Sequence, residues 1–197
     1  AEHKTNCFKC IKNGACELQA KAREYGIDVP NFKSSHGDVQ HEPFDAHPFL
    51  SYDPGLCIQC QRCISTCAKA TGRHALSLER NGARVYVKVP FGEGWENSLC
   101  ESCGNCAQAC PTGALTIKRR KDYREWEVKK VRTTCPHCAT GCQMDLYVKD
   151  GKIVDVQGAD GPSNHNLLCV KGRSGSFDFV DCDARIRYPL IKNKETG

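Results

Sequence analysis

Cysteine is the residue type most able to do chemistry in this chain. Of its 197 residues 16 are cysteines, and 14 of these lie in four short groups. Thiolates at close spacing bind zinc, ligate iron–sulfur clusters or pair as disulfides. Disulfides between cysteines with two residues between them are strained, and zinc, which uses pairs, would leave half of the cysteines in the middle groups without a role. The spacing therefore favours iron–sulfur clusters, with zinc and disulfides as the alternatives.

Two groups in the middle of the chain share the spacing C-x-x-C-x-x-C-x-x-x-C. They read CIQCQRCISTC from residue 57 and CESCGNCAQAC from residue 100, and Pro111 follows the second. In this bacterial ferredoxin spacing three cysteines hold one cluster, while the fourth ligates the other cluster. We expect the fourth cysteine of each run to begin a helix. The predicted ligands are a first crossed set, Cys57, Cys60, Cys63 and Cys110, and a second crossed set, Cys67, Cys100, Cys103 and Cys106.

The two outer groups each supply three thiolates and need a fourth ligand. No spare cysteine lies near the first group, so its spacing H-x-x-x-C-x-x-C-x-x-x-x-x-C predicts an amino-terminal set of His3, Cys7, Cys10 and Cys16. The alternative for His3 is an exposed residue. In the last group the isolated Cys169 can fill the open corner, which gives a hairpin set of Cys135, Cys138, Cys142 and Cys169. His137 is then a packing or solvent-facing residue, and Cys182 is a free thiol.

Short helices and hairpins are predicted between these groups. Residues 16–26 indicate a helix closed by Gly26. Alternating residues around Asn81–Gly82 and Asp150–Gly151 predict two β-hairpins, and residues 111–118 predict a closing strand. The repeat of cysteine run, helix and strand predicts a pseudo-twofold unit.

The predicted fold class is α+β, with small iron–sulfur domains in series. We expect a His-ligated cluster domain at 1–45, a ferredoxin-like double-cubane domain at 46–122 and a β-hairpin-rich cluster domain at 123–180. Aromatic residues make up 8% of the chain and it has one Met, so its apolar core is thin and the clusters must help to hold it together.

The net charge of +5 at first suggests a nucleic-acid partner. Four clusters with their ligands would shift the charge by about −7, to about −2, so the basic residues are read as counter-charge for clusters. Nucleic acid is therefore not expected as a partner, and a zinc-rich nucleic-acid-binding protein is the alternative. The sequence shows no secretory segment and no apolar run long enough for a bilayer, so we expect a cytoplasmic location and no membrane span.

Three stretches of the chain resemble known iron–sulfur families. HKTNCFKCIKNGACEL resembles the one-His, three-Cys motif in the large iron–sulfur subunit of respiratory complex I and in related hydrogenases and formate dehydrogenases. The middle runs are similar to those of iron-only hydrogenases and of formate dehydrogenases linked to NAD(P) or ferredoxin. TTCPHCATGC and NLLCVKGRSGSFDFV resemble the iron–sulfur domain of molybdenum/tungsten bis-pterin enzymes, most closely formate dehydrogenase. Ser174 departs from that pattern, because related formate dehydrogenases commonly carry an aromatic residue there.

This resemblance implies the electron-relay region of a formate dehydrogenase or CO2 reductase, an oxidoreductase whose catalytic residues lie outside this chain. Residues 181–197 would begin a pterin-binding catalytic domain, and a Mo/W bis-pterin guanine dinucleotide is expected there. Lys171 would link the hairpin-set cluster to the pterin; the alternative is a solvated lysine in a glycine-rich loop. Gly172 and Gly175 would let the backbone approach the cofactor.

The same resemblance implies the partners. They are the remainder of the catalytic subunit and a flavin-containing NAD(P)-binding, hydrogenase or ferredoxin-type electron-transfer subunit. The alternatives are a stand-alone polyferredoxin-like subunit, a different bis-pterin oxidoreductase and a complex I-like subunit.

Overall fold

The structure, a computed structural model, describes residues 7–27, 47–81, 84–88, 94–118, 123–175 and 177–194. No helix in these ranges is both long enough and apolar enough to cross a membrane. The α-helices are α1 (Glu17–Glu24), α2 (Arg62–Thr71), α3 (Asn105–Ala109) and α4 (Val170–Ser174). The strands are β1 (Leu50–Tyr52), β2 (Ser77–Asn81), β3 (Arg84–Lys88), β4 (Leu115–Ile117), β5 (Lys129–Thr134), β6 (Gln143–Lys149) and β7 (Lys152–Gly158).

A ferredoxin-like unit occupies the middle of the chain. Strand β1 pairs antiparallel with β4, so that Leu50 lies opposite Ile117 and Tyr52 opposite Leu115. Both cysteine runs lie between these two strands in sequence, and helices α2 and α3 contact each other. Buried apolar side chains such as Trp95 pack in one core with cysteines of both runs. The predicted α+β class with a ferredoxin-like unit is confirmed.

Helices α2 and α3 begin just before the third cysteine of each run, so the prediction that the fourth cysteine begins a helix was wrong. The residue before each helix, Gln61 or Gly104, has a left-handed backbone with φ of 61° and 71°. That turn ends the loop at the same point of both runs. Helix α3 stops at Ala109, because Cys110 precedes Pro111 and takes an extended backbone. The spacing of the cysteines did not predict the left-handed backbone at Gln61 and Gly104.

The helix predicted after Cys16 is confirmed and ends at a glycine. Gly26 follows α1 with φ of 62°. Its N–H donates to the carbonyl of Arg23, and the N–H of Ile27 donates to the carbonyl of Ala22 at 2.9 Å. These two bonds are those of a Schellman motif, which requires a left-handed residue after the helix.

Both predicted hairpins have paired strands. Strands β6 and β7 join through Asp150 and Gly151, whose φ values of 51° and 75° suit a type I′ turn. Strand β5 pairs with β6 and completes a three-stranded sheet. Strands β2 and β3 pair as predicted around residues 82–83, which lie outside the described residues.

Gly104 offers a test of how tightly α3 packs. It has φ of +71°, and an added Cβ would lie 2.5 Å from both Arg173 Cδ and Ile117 Cδ1. Gly72 has φ of +64° with no atom within 4 Å of its added Cβ. We expect Gly72→Ala to destabilise the fold by about 1–2 kcal/mol through backbone strain alone. Gly104→Ala should cost a further 1–3 kcal/mol or so from overpacking. Denaturant midpoints of the two variants check this, and equal midpoints would contradict the packing described.

Candidate metal centres

Each crossed set of cysteines surrounds a pocket of its own. The first pocket is lined by the apolar parts of Tyr52, Val87 and Leu115 and by the cysteines of the first crossed set, Cys57, Cys60, Cys63 and Cys110. The second is walled by Leu50, Leu76 and Trp95 and is lined by Cys67, Cys100, Cys103 and Cys106. The structure therefore gathers the residues of each crossed set, each with one cysteine from the other run.

Helices α2 and α3 form the wall between these pockets. Cys63 and Cys67 are four residues apart in α2, a spacing that places side chains about 5–6 Å apart on one side of a helix. Cys63 lines the first pocket and Cys67 the second. Cys106 of α3 lines the second pocket, whereas Cys110, just after α3, lines the first. Because the two pockets share this wall, the fourth cysteine of each run lines the pocket formed by the other run.

Backbone N–H groups point at the first sulfur of each run. The N–H of Gln59 donates to Cys57 Sγ, and the N–H of Ser102 donates to Cys100 Sγ, both at 3.4 Å. Gln59 and Ser102 occupy equivalent positions, and each has φ of 57°. The donor residue of each run therefore has a left-handed backbone. Such bonds stabilise charge on a cysteine sulfur.

The buried sulfurs need a cation if they are to ionise together. Burial, with smaller effects from Cys110 and Cys57, raises the pKa of Cys63 to about 12. Burial also raises the pKa of Cys106, with Cys103 contributing. Thiolates in one apolar pocket repel each other and lose hydration, and a bound metal offsets both effects. Four sulfurs around one pocket fit a 4Fe–4S cluster, whose usual ligands are four cysteines.

The hairpin set is brought together beside the three-stranded sheet. The N–H of Cys135 donates to the carbonyl of Cys142 at 2.8 Å, which closes the ligand loop. Burial raises the pKa of Cys142, followed in size by the charges of Cys135, Cys138 and Cys169. These interactions indicate that all four predicted residues of the set lie near one another, so this donor set fits a cluster as well. Cys169 reaches the others because it directly precedes α4, which packs on β7.

Lys171 lies on α4 rather than in a glycine-rich loop, and it is exposed. The hydroxyl and backbone of Thr140 lower the pKa of Cys138, and Lys171 lowers it slightly further, so the lysine lies on the Cys138 side of the hairpin set. An added Cβ at Gly172 would lie 3.4 Å from Cys135 Sγ. At Gly175 it would collide with the carbonyl of Lys171. In the structure both glycines thus permit close packing within and around α4.

His137 and Cys182 lie outside the predicted ligand sets. The His137 ring packs edge-on to Phe177 and Phe179 at 5.8 and 6.4 Å. Cys182 is exposed, and none of the 16 cysteines, all of which lie in the described residues, forms a disulfide. Within the described residues, no group of three or more His, Cys, Asp or Glu side chains is arranged around a single metal ion.

The amino-terminal set is described in part, since His3 lies outside the described residues. An added Cβ at Gly113 would lie 3.1 Å from Cys10 Sγ, and the N–H of Glu17 donates to the carbonyl of Pro111 at 3.1 Å. Arg124 also fixes this loop, because its guanidinium donates to the carbonyls of Cys10 and Phe8. The loop that carries the cysteines of this set therefore sits against residues 111–113, next to Cys110 of the first pocket.

Arg173 is a buried cation that the sequence reasoning missed. It is 3% exposed and joins the second pocket to the hairpin set. Its Nε donates to the carbonyl of Cys103 at 2.8 Å, and its Nη2 donates to the side-chain oxygens of Asn105 and Gln108 at 2.8 and 2.6 Å. Burial lowers its pKa, opposed by Asp155 and by nearby cysteines, Cys169 among them. The motif CVKGR contains this residue, but only the tertiary contacts reveal its burial.

Three protein-family models match the chain in series. The NADH-ubiquinone oxidoreductase-G iron-sulfur binding region matches residues 1–30. The ferredoxin-like domain of NADH-quinone oxidoreductase subunit 3 matches residues 48–116, and the molybdopterin oxidoreductase Fe4S4 domain matches residues 128–178. The boundaries at 45, 122 and 180 stay a prediction.

Relatives match across nearly the whole chain. A subunit of an NADH-quinone oxidoreductase of Rhizobium meliloti is 34% identical over 100% of this chain and 23% of its own length. NADPH–Fe(3+) oxidoreductase subunit alpha of Geobacter sulfurreducens is 31% identical over 98% of this chain and 22% of its own length. A Staphylococcus haemolyticus protein with the provisional name formate dehydrogenase is 27% identical over 97% of this chain and 23% of its own length. The relatives of this chain are thus the iron–sulfur regions of NADH-quinone oxidoreductase and formate dehydrogenase-like subunits.

This iron–sulfur region spans less than a quarter of the length of these relatives. Among solved structures it is similar to an NAD+-reducing NiFe hydrogenase in the H2-reduced state, at 28% identity, 59% of this chain and 49% of that chain. The TM-score of 0.49 is too low to establish a shared fold. The family matches support 4Fe–4S clusters bound by this region and a role in electron transfer.

The isolated cysteines of this region can be tested as a pair. In the anaerobically purified full-length protein, Cys169→Ala should remove or alter one cluster, lower the iron content by up to about four atoms per chain and change one EPR signal. Cys182→Ala is the matched control, because that exposed thiol lies outside every predicted set, and it should leave iron content and EPR signals unchanged. Equal iron content and identical spectra in both variants would exclude Cys169 as a ligand.

Proposed function

We propose that this region carries four 4Fe–4S clusters and relays electrons in a formate dehydrogenase or CO2 reductase. The proposed ligands are the amino-terminal set with His3, the two crossed sets and the hairpin set. Iron–sulfur electron transfer rests on the family; the number of clusters, their ligands and the link to formate are the proposal.

The observation that supports this function best is the spatial order of the four sets. Cys10 of the amino-terminal set lies against Gly113, beside the first pocket. The first and second pockets share the α2–α3 wall. Arg173 then connects the second pocket to α4, the helix that begins after Cys169 of the hairpin set. Each set thus neighbours the next, in the order that a stepwise relay between two ends requires.

The residues of the chain define what each step of such a relay needs. A 4Fe–4S cluster supplies a one-electron carrier whose potential the protein sets within roughly −700 to +450 mV. The cysteine sulfurs would hold the irons, apolar side chains such as Trp95 exclude water, and backbone N–H groups donate to the sulfurs. The buried positive charge of Arg173 would favour the added electron on a cluster at the second crossed set or at the hairpin set. With His3 in place of one thiolate, the amino-terminal site carries less negative charge than the crossed sites.

The link to formate rests on the carboxy-terminal part of the chain. Residues 128–178 match the molybdopterin oxidoreductase Fe4S4 domain, and one relative carries formate dehydrogenase as its provisional name. We place a Mo/W bis-pterin guanine dinucleotide in the remainder of the catalytic subunit, next to the hairpin set, with Lys171 as the link. Formate oxidation releases two electrons and one proton, so two successive one-electron transfers would pass from the hairpin set toward the amino-terminal set.

A second candidate function is a relay in an NAD(P)H-linked oxidoreductase that does not use formate. Two relatives with more than 30% identity carry the names NADH-quinone and NADPH–Fe(3+) oxidoreductase. Under either function the partner at the amino-terminal set would be a flavin-containing NAD(P)-binding, hydrogenase or ferredoxin-type subunit. A cytoplasmic location is part of the proposal, because a reducing compartment keeps cysteine thiols from pairing as disulfides.

The electron donor distinguishes the two functions. Formate added to the oxidised full-length protein under argon should bleach the visible iron–sulfur absorbance and generate reduced-cluster EPR signals, and acetate at the same concentration should do neither. If dithionite reduces the clusters and formate does not, the formate assignment is wrong; reduction by NADPH or NADH through a flavin-containing partner would then support the second candidate. If dithionite also produces no cluster signal, the relay itself is wrong.

A further inference from the structure

His47 lies just before β1 and is 2% exposed. Its Nδ1 accepts hydrogen bonds from the backbone N–H groups of Phe49 and Leu50, at 3.1 and 3.0 Å. A ring nitrogen that accepts a hydrogen bond carries no proton, so in this geometry the proton of the imidazole is on Nε2. The backbone around β1 thus fixes the tautomer of a buried histidine.

The Nε2 atom points into the second crossed set. It lies 3.5 Å from Cys100 Sγ and 3.5 Å from Ser102 Oγ. The edge-on ring of Trp95, 5.0 Å away between centroids, packs against the imidazole and restricts its rotation. Because Nε2 carries the proton, it is a donor, and Cys100 Sγ is an acceptor within reach.

Cys100 therefore has two N–H donors of different origin. One is the backbone N–H of Ser102, which has a counterpart at Cys57 in the N–H of Gln59. The other is His47, which stands outside the repeat: it lies directly before β1 and the first run, yet its imidazole faces the first cysteine of the second run. The pseudo-twofold repeat explains the backbone donor; it leaves the imidazole unexplained.

We propose that His47 is a positioning residue that donates a hydrogen bond from Nε2 to Cys100 Sγ and thereby raises the reduction potential of the cluster at the second crossed set. This inference rests on the proposed cluster at that set. Hydrogen bonds to cluster sulfurs favour the more negative, reduced state, and they are one of the means by which proteins set cluster potentials. His47 thus makes the potentials of two clusters with similar ligand loops differ.

Two substitutions separate the two nitrogens of the ring. In His47→Asn the side-chain oxygen can replace Nδ1 as acceptor for Phe49 and Leu50, but the Nε2 donor is lost. In His47→Gln the side-chain amide can reach the position of Nε2 and keep a donor toward Cys100. His165→Asn, the same chemical change at an exposed histidine, is the matched control.

The test is an EPR-monitored redox titration of the anaerobic full-length protein. His47→Asn should lower one midpoint potential only, that of the signal altered by Cys100→Ser, and His47→Gln should lie closer to wild type. His165→Asn should change none. Wild-type midpoints throughout in a His47→Asn protein with full iron content would overturn the proposal.

A second measurement does not depend on replacing His47. With 15N-labelled histidine, pulsed EPR of the reduced wild-type protein should show a weak 15N coupling on the same Cys100-dependent signal. Its absence would overturn the inference even if His47→Asn failed to assemble. A wild-type protein with no cluster signals after dithionite would instead refute the proposed relay.

Discussion

The structure depends on one electrostatic constraint: cysteine sulfurs are held together where water cannot solvate their charge. Cys63 and Cys106 each lie in an apolar pocket with three other sulfurs, and burial together with the neighbouring sulfurs raises the pKa of both. A metal core removes this conflict, because its positive charge is shared by all four ligands. The thin apolar core of the chain is consistent with this, since cysteines form part of each of the two larger buried cores.

The local structure follows from the need to aim sulfurs and donors at one point. The left-handed residues Gln59 and Ser102 each donate a backbone N–H to the first sulfur of their run. Helices α2 and α3 then divide the cysteines of one run between two pockets. Two buried polar side chains contact the cysteine loop of the second pocket. Arg173 bonds this loop to α4, and His47 approaches the sulfur of Cys100 from the β1 side.

Much of this arrangement could be predicted from the sequence, because ligand spacing and turn residues are local signals. Asp150–Gly151 predicted a hairpin that the structure contains, and the isolated Cys169 lies with Cys135 and Cys142. The start of α2 and α3 could not be predicted from the cysteines, since it depends on left-handed residues that include a glutamine. Arg173 and His47 could not be found either: a single Arg or His has no spacing pattern, and only tertiary packing shows which sulfur or carbonyl it faces.

The central claim is that four sets of ligands hold four cubanes in one chain. Quantifying iron, acid-labile sulfide and zinc in the anaerobically purified full-length protein tests it most directly, once any cluster bound outside this chain has been subtracted by comparison with a variant that lacks residues 1–197. The account predicts a difference of about sixteen iron and about sixteen sulfide per chain. Zinc in place of iron, or a difference near eight of each, would contradict it.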